Sequence, residues 1–153
     1  MEWRISSGWT YTDLEHNWVG EGLVRAHERG YPQIYNDAIY YVLMIDDYPV
    51  GYTTATLVYD AQDNLSFVFV GNTYVKLEFR GNGFHKELLK HRNEQIKKLA
   101  VPIVAILNPF GETAATRLRD VVVSLGYQPI RYDDELFTKL HLDMEKYEMW
   151  CLR

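Results

Sequence analysis

A strand that runs straight into a glycine-rich turn, then an amphipathic helix, then a short wholly apolar segment constrains this chain more than any other feature. The strand reads SFVFVGNTYVKLEF and the turn Arg80-Gly81-Asn82-Gly83. The helical period places Phe84, Leu88, Leu89, Ile96 and Leu99 on one face, and VPIVAIL follows at 101–107. Strand, helix and strand in that order imply a right-handed βαβ crossover, and the apolar second strand implies burial on both faces. A turn of this kind opens a helix with several unpaired N–H groups and the positive end of the helix dipole. Such a place suits an anion, phosphate above all. It is neither a Walker loop, because GxxxxGK[ST] is absent, nor the dinucleotide fingerprint, which needs a third glycine.

The flanking segments complete an α/β domain. Trp3 to Ile5 reads as a first strand, and Thr12-Asp13 caps a helix from about Asp13 to Glu28 that stops at Gly30. Tyr31 to Asn36 fits a second short helix. From Ile39 the β-branched and aromatic texture IYYVLMI, Asp46-Asp47-Tyr48-Pro49, VGYTTATLVYD reads as a β-hairpin, and a further turn at Ala61 to Asn64 leads into the strand before the glycine turn. Gly71-Asn72 breaks that strand midway, which suggests a bulge or a close backbone approach and marks a possible ligand position. A last helix carries Ala114, Leu118, Val121, Val122 and Leu125 and ends at Gly126. YQPIRYDD and KYEMWCLR supply two closing strands. At 153 residues the chain is expected to form a single domain over 1–153, with no linker.

Composition narrows the class. A formal charge of −5 disfavours nucleic acid and makes a cationic partner the easier one. No apolar run approaches the ~18 residues of a membrane span, and MEWRISSGW lacks the order of a signal peptide. The single cysteine, Cys151, fits a reducing compartment, so a cytoplasmic protein is expected. The histidines His16, His27, His85, His91 and His141 show no ligand spacing, and no metal is expected.

The junction Arg80-Gly81-Asn82-Gly83-Phe84-His85 resembles the acetyl-CoA-binding motif of the Gcn5-related N-acetyltransferase (GNAT) superfamily, Arg/Gln-x-x-Gly-x-Gly/Ala after an apolar strand and before a helix. Five positions fit, and His85 stands where the family usually has Gly or Ala. The order of elements also resembles the family along nearly the whole chain, down to a helix ending in Gly-aromatic, here Gly126-Tyr127. The resemblance implies a mixed, mostly antiparallel central sheet flanked by helices, with the βαβ crossover after the phosphate loop.

It further implies acetyl-CoA as cosubstrate and transfer of the acetyl group to a primary amine, in a small molecule or a protein, by direct attack in a ternary complex. Tyr74, Val75, Lys76 and Leu77 would pair with the pantetheine arm as an added strand. Arg80, Gly81, Asn82, Gly83, Phe84, His85 and Lys86 would hold the phosphates, Lys86 by reaching the adenosine 3′-phosphate. Asn108 would line the path of the thioester, in a slot opened by strands that splay near Gly71 and Leu107. Asn108-Pro109 is equally a turn-forming pair.

The family's usual general acid, a Tyr four residues before the Gly-aromatic pair, falls on Val122. Tyr127 or Tyr132 are the alternative donors, or the thiolate leaves without one. The alternative to an enzyme is a weak or inactive GNAT domain that binds coenzyme A as a sensor or interaction module. Of the basic residues Lys86, Lys90, Arg92, Lys97 and Lys98, all but Lys86 read as the wet face of the helix. The tyrosines of the hairpin (Tyr40, Tyr41, Tyr48, Tyr52, Tyr59) read as packing on the strand faces, with a homodimer surface or an acceptor wall as the other uses.

Overall fold

The structure is a computed structural model and describes residues 2–9, 38–107, 119–130 and 148–153. The expected helices at 13–28 and 31–36 lie outside these residues, as do Asn108 and Tyr132. Strands β1 (Trp3–Trp9), β2 (Ala38–Ile45), β3 (Tyr48–Tyr59), β4 (Leu65–Val75), β5 (Ile103–Leu107), β6 (Gln128–Pro129) and β7 (Glu148–Leu152) form one seven-stranded sheet in the order β1-β2-β3-β4-β5-β7-β6. Every pair is antiparallel except β4 with β5. This exception is the crossover expected from the sequence, and its helix is α1 (Phe84–Ile96). The sheet is therefore mixed and mostly antiparallel.

The β2–β3 hairpin turns on Asp46 and Asp47, whose φ angles of 48° and 68° are the positive values a tight two-residue hairpin turn demands. Aspartate tolerates that conformation better than most residues do. The side chain of Asp46 also accepts the backbone N–H of Glu2, tying the start of β1 to the turn.

Two bulges decide which residues face the helix. On β4, Val68 and Val70 pack with Ile96 of α1, whereas Val75 packs with Phe84 and Leu88. Even numbers thus give way to odd ones on the same face, which requires one extra residue between them. The register agrees: Thr54 opposes Gly71, yet Tyr52 opposes Tyr74. The bulge expected at Gly71 is present, held by the Thr54 hydroxyl, which donates to the Gly71 carbonyl at 2.7 Å.

The close approach lies elsewhere. A Cβ on Gly71 would meet nothing nearer than Phe69 at 4.0 Å, whereas one on Gly51 of β3 would lie 2.7 Å from the Tyr74 carbonyl oxygen. Gly51 sits at the second bulge, where the β2–β3 register slips between Leu43 and Met44.

The core occupies both faces of the sheet. On the α1 face, Tyr41, Ala55, Val68, Val70, Ile103, Ala105, Val122 and Tyr127 surround Ile96. On the other face Tyr40, Val42, Met44, Tyr52 and Tyr74 form a separate cluster. Of the hairpin tyrosines, Tyr40, Tyr41 and Tyr52 are buried and so cannot present a dimer surface, while Tyr48 and Tyr59 are exposed.

The helix departs from its expected face at two points. Leu99 belongs to a 3-10 turn (Lys97–Leu99) closed by Ala100 at φ 55° and is exposed. Arg92, expected in solvent, is 3% exposed. It follows Leu88 by four residues and precedes Ile96 by four, so it lies on the buried stripe.

Candidate functional site

The parallel pairing of β4 with β5 is short. It runs over Val68–Ile103, Phe69–Val104 and Val70–Ala105 and then ends. Beyond this point β4 continues through Val75 against β3, while β5 continues through Leu107 against β7. Among the described residues each strand then keeps its outer partner alone, which leaves a cleft between them. The bulge after Gly71 supplies the extra twist that turns β4 away.

Beyond Val70 the edge of β4 faces this cleft and no longer pairs with β5. The Lys76 N–H is bonded to the Val50 carbonyl on β3 at 2.8 Å, so across the planar trans peptide the Val75 carbonyl points the other way, toward the cleft. Arg80 caps that carbonyl through Nε at 2.7 Å, and its guanidinium lies 5.6 Å from the centroid of the Tyr74 ring. Tyr74, Val75 and Lys76 therefore lie together on the edge that has left β5, with the Val75 carbonyl held by Arg80. Leu77 does not extend it. β4 ends at Val75 and Leu77–Phe79 form a 3-10 turn, which leaves Leu77 69% exposed. The sequence shows no proline or glycine there, and an apolar-polar alternation through Phe79 reads as strand until the turn is seen.

At the end of this edge lies the glycine loop. Gly81 and Gly83 adopt φ of 81° and 79°, and Gly83 is the N-cap of α1. Among the described residues a Cβ on either would meet nothing within 4 Å, which leaves open space in front of the loop. The Asn82 side chain donates back to the carbonyls of Phe79 and Arg80, which fixes the turn. The first bond of the helix runs from Glu87 N–H to Gly83 C=O, and the N–H groups of Phe84, His85 and Lys86 precede it. These donors have no intrahelical acceptor and share the positive end of the helix dipole. Open space, fanned amides and exposed Lys86 and Arg80 fit a diphosphate, and the strand edge leading away from them fits an amide-bearing arm. Among the described residues no group of three or more His, Cys, Asp or Glu could hold a metal.

His85 follows Phe84 in the first turn of α1. Its ring is half-buried, and burial with the nearby Arg92 charge lowers its pKa to about 4. Imidazole is thus neutral near pH 7. Because the folded form binds the proton less readily than the unfolded one, the unfolded chain gains protons first as pH falls below about 6.5. Stability should drop between about pH 6.5 and 4 by up to ~3 kcal/mol, at 1.36 kcal/mol per unit. His85→Gln should flatten this stretch of the curve in urea unfolding at pH 7 and pH 5, with the two proteins converging at pH 7.

Val122 lies 5% exposed in the cluster that includes Val70 and Ala105, the last β4–β5 pair. The position on which the resemblance places the acid is thus apolar and buried in the core. Tyr127 is 2% exposed, and its hydroxyl donates to Asn93 Oδ1 at 3.1 Å, under α1. Burial raises its pKa above the usual phenol value, against the lowering by Arg92. Sequence reasoning missed the polar cluster around that contact: Arg92 and Asn93 of α1, Thr53 of β3 and Thr73 of β4. The four-residue spacing Phe84, Leu88, Arg92, Ile96 is the signal that could have found it.

No protein-family model matches the chain, and no curated protein matches it significantly. Solved structures do. ElaA of Escherichia coli is similar over 99% of both chains, with a TM-score of 0.65 and 16% identity. The ribosomal-protein-S18-alanine N-acetyltransferase of E. coli gives 0.64 at 15% identity, over 99% of this chain and 93% of the other. An acetyltransferase of Bacillus subtilis solved in complex with CoA gives 0.62 at 17% identity, over 99% of this chain and 98% of that one.

The fold is that of the GNAT acetyltransferases. At these identities the likeness is one of backbone architecture, and the chemistry has to be argued from the chain's own residues.

Proposed function

We propose that the protein binds acetyl-CoA in the β4–β5 cleft and transfers the acetyl group to a primary amine by direct attack. The observation that carries this reading is that the stretch of β4 that has parted from β5 leads directly into a mouth of fanned amides at Gly81–Lys86. The solved relatives include proteins crystallised with CoA or acetyl-CoA. In this reading the amides hold the diphosphate, the β4 edge pairs with the pantetheine arm and the thioester lies where β4 and β5 part. The chain's contribution to rate is positioning and preorganised N–H donors. Asn108 and Tyr132 keep their expected roles as thioester neighbour and candidate donor. Tyr127 is the weaker donor, since its proton is directed at Asn93. A net charge of −5 suits a cationic acceptor, and a single buried cysteine suits the cytoplasm.

A second reading, a coenzyme-binding module with little turnover, is favoured by one observation, the apolar, buried Val122. Release of free CoA on mixing the protein with acetyl-CoA and a panel of polyamines, aminoglycosides and lysine peptides separates the two. The enzyme releases it with at least one amine, and the module with none. Val122→Tyr restores a phenol where the resemblance places the acid. Turnover at saturating acetyl-CoA is expected to rise several-fold if sulfur protonation limits the rate.

A further inference from the structure

Arg92 is a buried cation with no carboxylate partner among the described residues. A charge taken out of water costs several kcal/mol unless something compensates it. Its bonds go to neutral groups: Nε donates to Asn93 Oδ1 at 3.2 Å and a terminal nitrogen to Thr53 Oγ1 at 2.8 Å. Asn93 Oδ1 also accepts from Tyr127, while Asn93 Nδ2 is buried with no hydrogen-bond partner. Among the described residues the surroundings of Arg92 are therefore rich in donors and hold no carboxylate.

One contact leads out of it. Thr53 Oγ1 lies 2.8 Å from Thr73 Oγ1. Guanidinium only donates, so Thr53 accepts from Arg92. Thr53 is 0% exposed, and among the described contacts only Thr73 can take its hydrogen. A buried hydroxyl does not readily leave its proton unspent. Thr53 therefore donates to Thr73, and among the described contacts none takes the Thr73 hydrogen. Thr73 is half-buried and lies on β4 beyond Val70, the last residue paired with β5, so it stands on the cleft side of the parting.

Resting on the transferase reading above, we propose that Thr73, oriented by Arg92 through Thr53, donates a hydrogen bond to the sulfur of coenzyme A as negative charge develops there. In the transfer the amine lone pair forms the new C–N bond, the C–S electron pair goes to sulfur, and the surplus ammonium proton leaves to water. Thr73 stabilises the thiolate and gives up no proton. Arg92 is a positioning residue whose bonds among the described residues go to neutral groups. This supplies at the cleft what the apolar Val122 lacks.

The test uses coenzyme A itself and needs no acceptor. Calorimetry first measures its binding to the full chain, and ultraviolet thiolate absorbance then titrates the bound thiol. A donor to the charged form lowers the thiol pKa. The thiolate fraction at a fixed pH should fall about tenfold in Thr73→Val, one pKa unit being a factor of ten. Thr73→Ser should keep the wild-type value, and Arg92→Met should shift in the same direction as Thr73→Val. Should Arg92→Met fail to fold, the near-isosteric Thr73→Val carries the test with Thr73→Ser. Bound coenzyme A whose thiol titrates identically in wild type and Thr73→Val overturns the relay and leaves the transferase reading standing. Coenzyme A that does not bind the wild-type chain overturns both.

Discussion

Gly83→Trp should reduce acetyl-CoA affinity at least a hundredfold while leaving a folded domain. Gly83 is the N-cap of α1 at φ 79°, and among the described residues a Cβ there meets nothing within 4 Å. An indole at this position therefore finds room outside the core, but the room is the place that the diphosphate would take. The left-handed backbone adds about 1 kcal/mol of strain, small against the stability of a domain of this size. Calorimetric titration with acetyl-CoA and a far-ultraviolet melting curve check the two halves of this expectation. Wild-type affinity in the variant would remove the loop from the site.

Gly51→Val should have the largest effect on stability. Its first side-chain carbon would stand 2.7 Å from the Tyr74 carbonyl oxygen and 3.3 Å from Val75 Cα, and both are backbone atoms of β4 that cannot rotate aside. The strands must separate, at a cost of ~1–3 kcal/mol or more. In a domain of this size that lowers the melting temperature by roughly 3–10 °C. Because the displaced stretch is the Tyr74–Val75 edge, acetyl-CoA affinity should fall as well. Gly71→Ala is the control. Its Cβ has ordinary room and its backbone no positive φ, so stability should change by less than about 0.5 kcal/mol.

The pair Gly51 and Gly71 shows where the sequence is legible and where it stops. Gly71 interrupts an apolar run and so advertises a bulge, which is present. Gly51 follows a Pro-Val pair at the start of a strand and looks like turn punctuation. Its necessity comes from a strand that returns more than twenty residues later, which no local pattern encodes. The βαβ crossover was readable because three local signals agreed: an apolar strand, a glycine turn and a 3.6-residue period.

Arg92 was misread for the converse reason. Charge type outweighed phase, although a residue four after Leu88 and four before Ile96 shares their face whatever its chemistry. What made its burial tolerable, the Thr53 and Asn93 oxygens, lies on another strand and in the next residue. The extended edge was overread by Leu77 and beyond, since a 3-10 turn and a strand can share the same alternation over a few residues. The tyrosine hairpin was legible as strand, and packing on the strand faces is what Tyr40, Tyr41 and Tyr52 do. Tyr40, Tyr52 and Tyr74 form one buried row with ring centroids 6.4 and 6.1 Å apart, which belongs to packing.

Amide resonances of the 15N-labelled chain, followed while coenzyme A is added, would examine the phosphate mouth without reference to any acceptor. Saturable shifts are expected to be largest at Gly81 to Lys86 and along Thr73 to Lys76, with the remainder of β2 and β3 little moved. Saturating coenzyme A that leaves those amides in place, or moves a different surface instead, would contradict the assignment of the cleft and with it the proposed transfer.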